Sequence, residues 1–269
     1  MTDKYAVIGH PVAHSKSPLI HKMFAEQTGQ DMSYVAIEAP LDGFSDTIAR
    51  LRSEGYKGFN VTVPFKHEAY QLAKQHSGRA RAAHAVNTLI FEGDDILGDN
   101  TDGVGMVTDI EENLGCRFMF KRVLLMGAGG AAHGVIWHLF QAGASVIISN
   151  RTMEKAEQLA AQFEGYGTVF AKSYESLAGQ QFDIVINATS SSLSDELPPL
   201  PPGIFKPGAL AYDMMYGKST PFLRFAEQQG ATLLADGLGM LVEQAAAAFE
   251  KWRGVKPDTA PVIAKLREL

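Results

Sequence analysis

Apolar positions along the chain recur with two alternating periods. The run "YAVIG" (5–9) is short, apolar and closed by glycine, the pattern of a buried strand. In "HSKSPLIHKMFAEQTG" (14–29), positions 19, 20, 23, 24 and 27 fall at helical spacing and Gly29 supplies a stop. "MSYVAIEA" (32–39) reads as a strand, "FSDTIARLRSEG" (44–55) as a helix ending at Gly55, and "GFNVTV" (58–63) as a third strand. Strand alternating with helix predicts a mostly parallel sheet covered by helices.

The pattern restarts after "LGDNTDGVG", near residue 100. "RVLLMGAGGAAHGVIWHLFQAGASVIISNRT" (122–152) reads as strand, helix, strand; the helical "MEKAEQLAAQF" and the strand "FDIVINAT" (182–189) follow. Two α/β domains are predicted, a first over residues 1–102 and a second over 103–237. The last amphipathic stretch, "LGMLVEQAAAAFEKW" (238–252), carries Leu238, Leu241, Val242, Ala245, Phe249 and Trp252 on one face, and residues 238–269 are expected to pack back on the first domain. The proline-rich "LPPLPPG" (197–203) reads as a surface loop.

Composition narrows the function classes. The 269 residues are 46% hydrophobic and 20% charged with a formal net charge of −6, so a globular protein is expected and nucleic-acid binding has no electrostatic support. The single cysteine, Cys116, excludes an internal disulfide and a cysteine-based zinc site, and the eight histidines have no metal-ligand spacing, so no metal is expected. No signal peptide or membrane-length apolar run is seen, and a cytoplasmic protein is expected.

Within "VLLMGAGGAAHG", Gly127, Gly129 and Ala132 fit G-x-G-x-x-A between an apolar strand and a helix. The chemistry asks for a tight turn at the first position, close backbone approach to a pyrophosphate at the second, and a small residue for helix–strand packing at the third. The helix start offers free N–H groups to phosphate. Where an NAD site carries an acidic residue at the end of the next strand, this chain has "SNRT". A guanidinium at Arg151 suits the 2′-phosphate of NADP, so Arg151 is expected to select NADP; its plainer reading is a helix-start residue with Thr152 as the cap.

A nicotinamide cofactor carries hydride but not the alcohol proton, so the first domain must supply an acid/base. The candidates are Lys66 in "NVTVPFK" and the carboxylates Asp99 and Asp102 of "GDNTDG". Pro64 biases Val63 to extended backbone and is able to occupy the first turn of a helix over "PFKHEAYQLAK". Lys66 then stands at a helix start, where the dipole disfavours an ammonium by about 0.3–1 kcal/mol, so burial must do most of any tuning. Spacing alone brings neither carboxylate to Lys66.

The segments "GHPVAHSKSPLIH", "NVTVPFK", "AVNTL", "GDNTDG", "GAGGAA", "NRT", "INATS", "YDMMY" and "DGLGMLVEQAA" occur in this order over nearly the whole chain, and together the chain resembles the shikimate dehydrogenase family. The resemblance implies reversible reduction of 3-dehydroshikimate to shikimate with NADPH. It also implies an N-terminal substrate domain, a C-terminal Rossmann-type NADP domain and an active site in the cleft between. By the same resemblance, Lys66 is the proton donor or acceptor and Asp102 holds both it and a substrate hydroxyl. Ser15 and Ser17 bind the substrate carboxylate, with Thr62, Asn87, Tyr216 and Gln244 completing the polyol pocket. Gly127, Ala128, Gly129, Gly130, Ala131, Asn150, Arg151, Thr152, Lys155, Thr189, Met214 and Gly237 line the NADP site. A monomer or homodimer is expected. Two positions depart from the family pattern: His133 where many relatives place arginine, and Lys22 where asparagine is frequent.

Each residue also has a plainer role. Ser15 and Ser17 suit helix capping, Asn87, Asp99, Asn100 and Asp102 suit turns, and Gln244 an amphipathic helix surface. His14 is expected to pack or hydrogen-bond, and Met214, Met215 and Met240 to fill core. Two rival functions are a quinate/shikimate dehydrogenase of broader specificity and a non-catalytic NADP-binding redox sensor. The intact "HSKSP" serines and basic "NRT" oppose the first, and the presence of both Lys66 and Asp102 opposes the second.

Overall fold

The structure is a computed structural model and describes residues 2–191, 195–217 and 219–269. The chain forms two compact units, Met1–Gly105 with Leu241–Leu269, and Met106–Met240.

The first unit alternates strand and helix in the expected order: β1 (Asp3–Gly9), α1 (Ser17–Thr28), β2 (Met32–Glu38), α2 (Phe44–Ser53), β3 (Tyr56–Val61) and α3 (Lys66–Leu72). Then come β4 (Gln75–His76), α4 (Gly78–Ala83), β5 (Thr88–Glu92) and β6 (Asp95–Asp99). The sheet order is β2-β1-β3-β5-β6-β4. Strands β1, β2 and β3 are parallel, whereas β5 runs antiparallel to both β3 and β6. The sheet is therefore mixed, and its antiparallel part comes from a hairpin the pattern reading does not predict. Gly93, at φ 58, supplies the positive φ that the tight turn between β5 and β6 needs.

Helix α1 stops where Gly29 adopts left-handed backbone at φ 66, as the sequence predicts. Helix α3 is shorter than predicted. Phe65 is its cap, so Pro64 lies ahead of the helix and not in its first turn, and Ala73 turns extended at ψ 130 to lead into β4. One face of the sheet packs Ile8, Phe59, Val61 and Leu89 under Phe44, Ile48, Leu51 and Phe65 from the α2–α3 side.

Helix α5 (Asp102–Thr108) begins in the first unit and carries the chain out of it after Gly105; the second unit continues into a π-helical turn, Asp109–Asn113. It then runs β7 (Arg122–Met126), α6 (Gly130–Gln141), β8 (Ser145–Ser149), α7 (Met153–Gln162) and β9 (Val169–Ala171). The remainder is β10 (Phe182–Asn187), β11 (Phe205–Asp213), α8 (Pro221–Gln228) and β12 (Leu233–Asp236). All strand pairs are parallel in the order β12-β11-β10-β7-β8-β9. Strand order reverses between β7 and β10, the switch point at which doubly wound sheets bind ligands beyond their carboxyl ends.

Helix α9 (Leu238–Arg253) carries the chain back into the first unit, and α10 (Ala260–Arg267) follows. At its start the Asp109 carboxylate accepts from the Tyr212 hydroxyl at 2.7 Å, and a Cβ on Gly239 would overlap that carboxylate. Farther along, Phe249 packs edge-on to Phe24 at 5.6 Å, Trp252 stacks on Tyr5 at 4.8 Å, and the indole N–H donates to the Leu89 carbonyl at 3.2 Å. Each large apolar side chain buried in this way contributes about 1.5–3 kcal/mol. Among the described residues no helix is long and apolar enough to cross a membrane.

The same cluster buries His21, stacked on Tyr34 at 4.0 Å, with neither ring nitrogen hydrogen-bonded within the distance and angle limits of a normal bond. Burial pushes its pKa down to about 3, with the side chain of Asn60 opposing. A folded-state pKa below the unfolded value of about 6.5 means that the unfolded chain binds the extra proton in that interval. Stability is therefore full above about pH 6.5 and falls as pH drops toward 3, by up to about 1.4 kcal/mol per unit from this group. Urea unfolding at pH 7, 6 and 5 is expected to show a shallower pH dependence for His21→Phe than for the wild type; equal slopes would refute the assignment.

Candidate active site

In the first unit the ends of β1 and β3 deliver the candidate residues to one end of the sheet. The Thr62 N–H donates to the Ile8 carbonyl at 2.9 Å and the His10 N–H to the Val63 carbonyl at 3.0 Å, so the segments leaving the two strands stay side by side. The turn after β3, closed by the Phe65 N–H on the Thr62 carbonyl, sets Lys66 at the first position of α3. The Val86 N–H in turn donates to the Lys66 carbonyl at 2.9 Å.

Lys66 Nζ donates to Asp102 Oδ2 at 2.6 Å, and both side chains are partly buried. The other carboxylate oxygen, Oδ1, accepts from Asn87 Nδ2 at 2.8 Å. Asn87 Nδ2 also reaches Gln244 Oε1 at 3.3 Å, and Thr101 Oγ1 approaches the same oxygen at 3.4 Å. A Cβ on Gly105 would come within 2.6 Å of the Gln244 backbone nitrogen, so glycine there is what lets α5 and α9 approach within this unit. Four residues far apart in sequence, Lys66, Asn87, Asp102 and Gln244, thus form one hydrogen-bonded cluster.

The pattern reading missed the group that orients Asn87. Asn60 accepts from the Tyr34 hydroxyl at 2.7 Å and donates to the Asn87 carbonyl at 3.2 Å and to Thr88 Oγ1 at 3.1 Å. Thr88 Oγ1 in turn donates to Asn87 Oδ1 at 2.8 Å, which also accepts the Thr101 N–H at 2.8 Å. With its oxygen so occupied, Asn87 must turn its amide donors to Asp102. The available signal was a polar side chain inside the apolar run "GFNVTV".

Ser15 and Ser17 stand at the start of α1. The cap position belongs to Lys16, and Ser15 Oγ accepts the Ser17 N–H at 3.2 Å. Neither serine bonds directly to Lys66, Asn87, Asp102 or Gln244 among the described residues; Ser17 meets the Tyr34 hydroxyl, which leads through Asn60 to Asn87. His14 does not pack: it is exposed, because the loop ahead of α1 turns it to solvent, and it makes no hydrogen bond to a described residue.

In the second unit the nucleotide candidates all lie at the carboxyl ends of the strands. Gly127 follows β7 at φ 106, and a Cβ there would meet the Ala188 carbonyl at 2.9 Å, so only glycine fits. Gly129 caps α6, and open space surrounds the Cβ positions of Gly129 and Gly130. The first-turn N–H groups have no intrahelical acceptor and no acidic residue lies in that turn, so the cradle suits a diphosphate. After β8, Asn150 Nδ2 donates to the Thr152 carbonyl at 2.8 Å. Thr152 occupies the cap position of α7 without spending its hydroxyl on the cap. Arg151 is exposed, and among the described residues neither it nor Lys155 has an ion-pair partner, so both cations are uncommitted.

Thr189 follows β10 with its hydroxyl on Asn187 Oδ1 at 2.6 Å. The Met214 N–H after β11 donates to the Asn187 carbonyl at 3.0 Å, and the Gly237 N–H after β12 to the Met215 carbonyl at 3.0 Å. Tyr216 is half-buried, and burial raises its phenol above the ordinary value. His133, in the first turn of α6, bonds through Nδ1 to the Gly129 carbonyl at 3.0 Å. Residues 127–131, 150–152 and 155 therefore present the free backbone donors and uncommitted cations that a phosphate-rich dinucleotide such as NADP requires.

Three family models match the chain: the shikimate dehydrogenase substrate binding domain over residues 7–89, shikimate / quinate 5-dehydrogenase over 110–194, and the shikimate 5′-dehydrogenase C-terminal domain over 237–267. The shikimate dehydrogenase (NADP(+)) of Nitrosospira multiformis is 61% identical, covering 99% of this chain and 98% of its own. An Ael1 enzyme from Pseudomonas putida superposes with a TM-score of 0.94 at 51% identity, with 98% of each chain covered. The shikimate 5-dehydrogenase of Thermus thermophilus, solved in complex with NADP(H) and shikimate, superposes at 0.89 with 32% identity and 99% of each chain covered. Identity of this order over the full length leaves one conclusion: the chain belongs to the shikimate dehydrogenase family.

Proposed function

We infer that this chain catalyses the reversible, NADP-dependent reduction of 3-dehydroshikimate to shikimate. The observation that carries the reading is Lys66 Nζ held at 2.6 Å from Asp102, in a cluster whose remaining groups are neutral hydrogen-bond formers. NADPH, when bound, supplies the hydride for the carbonyl carbon. Lys66 gives a proton to the oxygen of that carbonyl as it becomes an alcohol, and takes it back in the reverse direction. Asp102 fixes the lysine with one oxygen, while Asn87, turned by Asn60 and Thr88, fixes the other.

Hydroxyl and amide groups on Thr62, Asn87 and Gln244 suit a polyol, and Ser15 and Ser17 offer neutral donors to its carboxylate. Tyr216 is assigned to the substrate on the family resemblance alone. The amides of Gly127 to Ala131 would hold the diphosphate, and Arg151, Thr152 and Lys155, with Asn150, the 2′-phosphate. Thr189, Met214 and Gly237 complete the cofactor contacts. A cytoplasmic location and a monomeric or dimeric state belong to the same proposal.

The deciding assay is the rate of NADPH formation from shikimate and NADP, run beside quinate with NADP and each acid with NAD. Shikimate with NADP is expected to lead. Comparable quinate or NAD rates would place the chain with broad-specificity members, and NADP binding without any turnover would refute the catalytic reading.

A further inference from the structure

The loop that carries Asp102 is fixed from behind by an ion pair that takes up Asp99, the other carboxylate candidate, and has no part in the proposed proton transfer itself. Asp99, at the end of β6, is only 2% exposed, and four donors meet its carboxylate. Arg79 in α4 supplies two of them as a fork, Nε to Oδ1 at 2.7 Å and Nη2 to Oδ2 at 2.6 Å. Ser77 Oγ and the Asn100 N–H supply the others, at 2.5 and 2.8 Å. Burial alone would raise this carboxyl, but Arg79, Ser77 and the Asn100 N–H outweigh it and hold it below the ordinary carboxylate range.

From there the contacts lead to the proton-transfer pair. The Asn100 side chain accepts the Asp102 N–H at 3.1 Å and donates to the Ala85 carbonyl at 3.1 Å. The Asp99 carbonyl accepts the Asn87 N–H at 3.0 Å. Both partners of the Asp102 carboxylate are thus referred to this segment: Asn87 through its own backbone, and Lys66 through the carbonyl that accepts the Val86 N–H.

We propose that Arg79 is a positioning residue for the proton transfer: by gripping Asp99 at two points it fixes the main chain over residues 99–102 and so aims the Asp102 carboxylate at Lys66. The proposal rests on the reading of Lys66 and Asp102 as the proton-transfer pair. A guanidinium is required because a single ammonium cannot match both carboxylate oxygens in one plane. Without Arg79, a buried carboxylate faces only Ser77 and one N–H, and it must draw in water or turn toward solvent. Either response moves the Asn100 N–H and, through Asn100, the backbone of Asp102. A displacement of about 1 Å at a reacting group costs on the order of a hundredfold in rate.

The test is the Arg79→Ala variant of the full chain, confirmed folded by circular dichroism and thermal melting. Its kcat is expected to fall about 10- to 100-fold with the KM for shikimate within about threefold and an altered pH–rate profile. Arg79→Lys should recover less than half of that loss. In an Asp102→Asn background the Arg79→Ala change should cost under about threefold, because the group it positions is already disabled. Wild-type kcat with an unchanged pH profile, or the same fold-loss in both backgrounds, overturns the proposal. If Arg79→Ala does not fold, Arg79→Lys is read by the same two criteria. Wild-type turnover in the Asp102→Asn single variant would instead refute the pair itself, so the two failures are told apart.

Discussion

Replacing Lys66 with alanine is expected to remove most turnover, about two to four orders of magnitude in kcat, while the affinity for shikimate changes only a few-fold. The lysine makes one ion pair, 28% exposed on the lysine side, and a pair so placed contributes about 1 kcal/mol or less to stability. The substituted side chain leaves Asp102 with Asn87 Nδ2 still on its other oxygen, so the carboxylate keeps a partner and the fold should survive. Loss of rate without loss of melting temperature is therefore the signature of a proton-transfer group. Single-turnover measurements with pre-bound cofactor should place the defect in the chemical step. Near-normal turnover would end the assignment.

The second large effect is expected at Arg151, where alanine should raise the KM for NADP about 10- to 100-fold and leave that for NAD within about threefold. A charge-assisted hydrogen bond to phosphate is worth about 1.5–3 kcal/mol, which sets that range. Arg151 is exposed and has no ion-pair partner among the described residues, so nothing in the fold depends on it and stability should change by no more than about 0.5 kcal/mol. Binding of adenosine 2′,5′-bisphosphate against 5′-AMP, measured by calorimetry, separates recognition of the 2′-phosphate from any effect on turnover. Equal losses with both nucleotides would show that Arg151 serves the adenosine, not its phosphate.

Much of the fold was legible because its signals are local. The apolar runs of β1, β3, β7 and β8 and the glycine stops at Gly29 and Gly127 act within a few residues, and the sequence places them to within a residue or two. The β5–β6 hairpin escaped because "EGDD" resembles any polar loop, and its partners in the sheet are decided by packing on β3. The candidate site divides in the same way. Lys66 at a helix start follows from Pro64 and the apolar run before it, but its meeting with Asp102 is a tertiary event across 36 residues, and only the family resemblance anticipated it. Asn60 and Arg79 lay beyond that resemblance as read. A polar residue in a strand and an arginine in a short helix acquire meaning only once the sheet brings Asn87 and Asp99 beside them.

The passage of the chain out through α5 and back through α9 also governs the order in which the molecule is made. Residues 106–240 form an uninterrupted stretch that is complete as soon as it has been synthesised. The first unit is started earlier yet finished later, since Tyr5, Phe24 and Leu89 wait for Phe249 and Trp252. At about 5–20 residues per second that wait is on the order of ten seconds, during which the aromatic face of α1 and its sheet has no cover. The half of the protein that holds the proposed acid/base pair is thus the half most open to misassembly on the ribosome, and Gln244, which closes the Asn87 network, arrives only at the end.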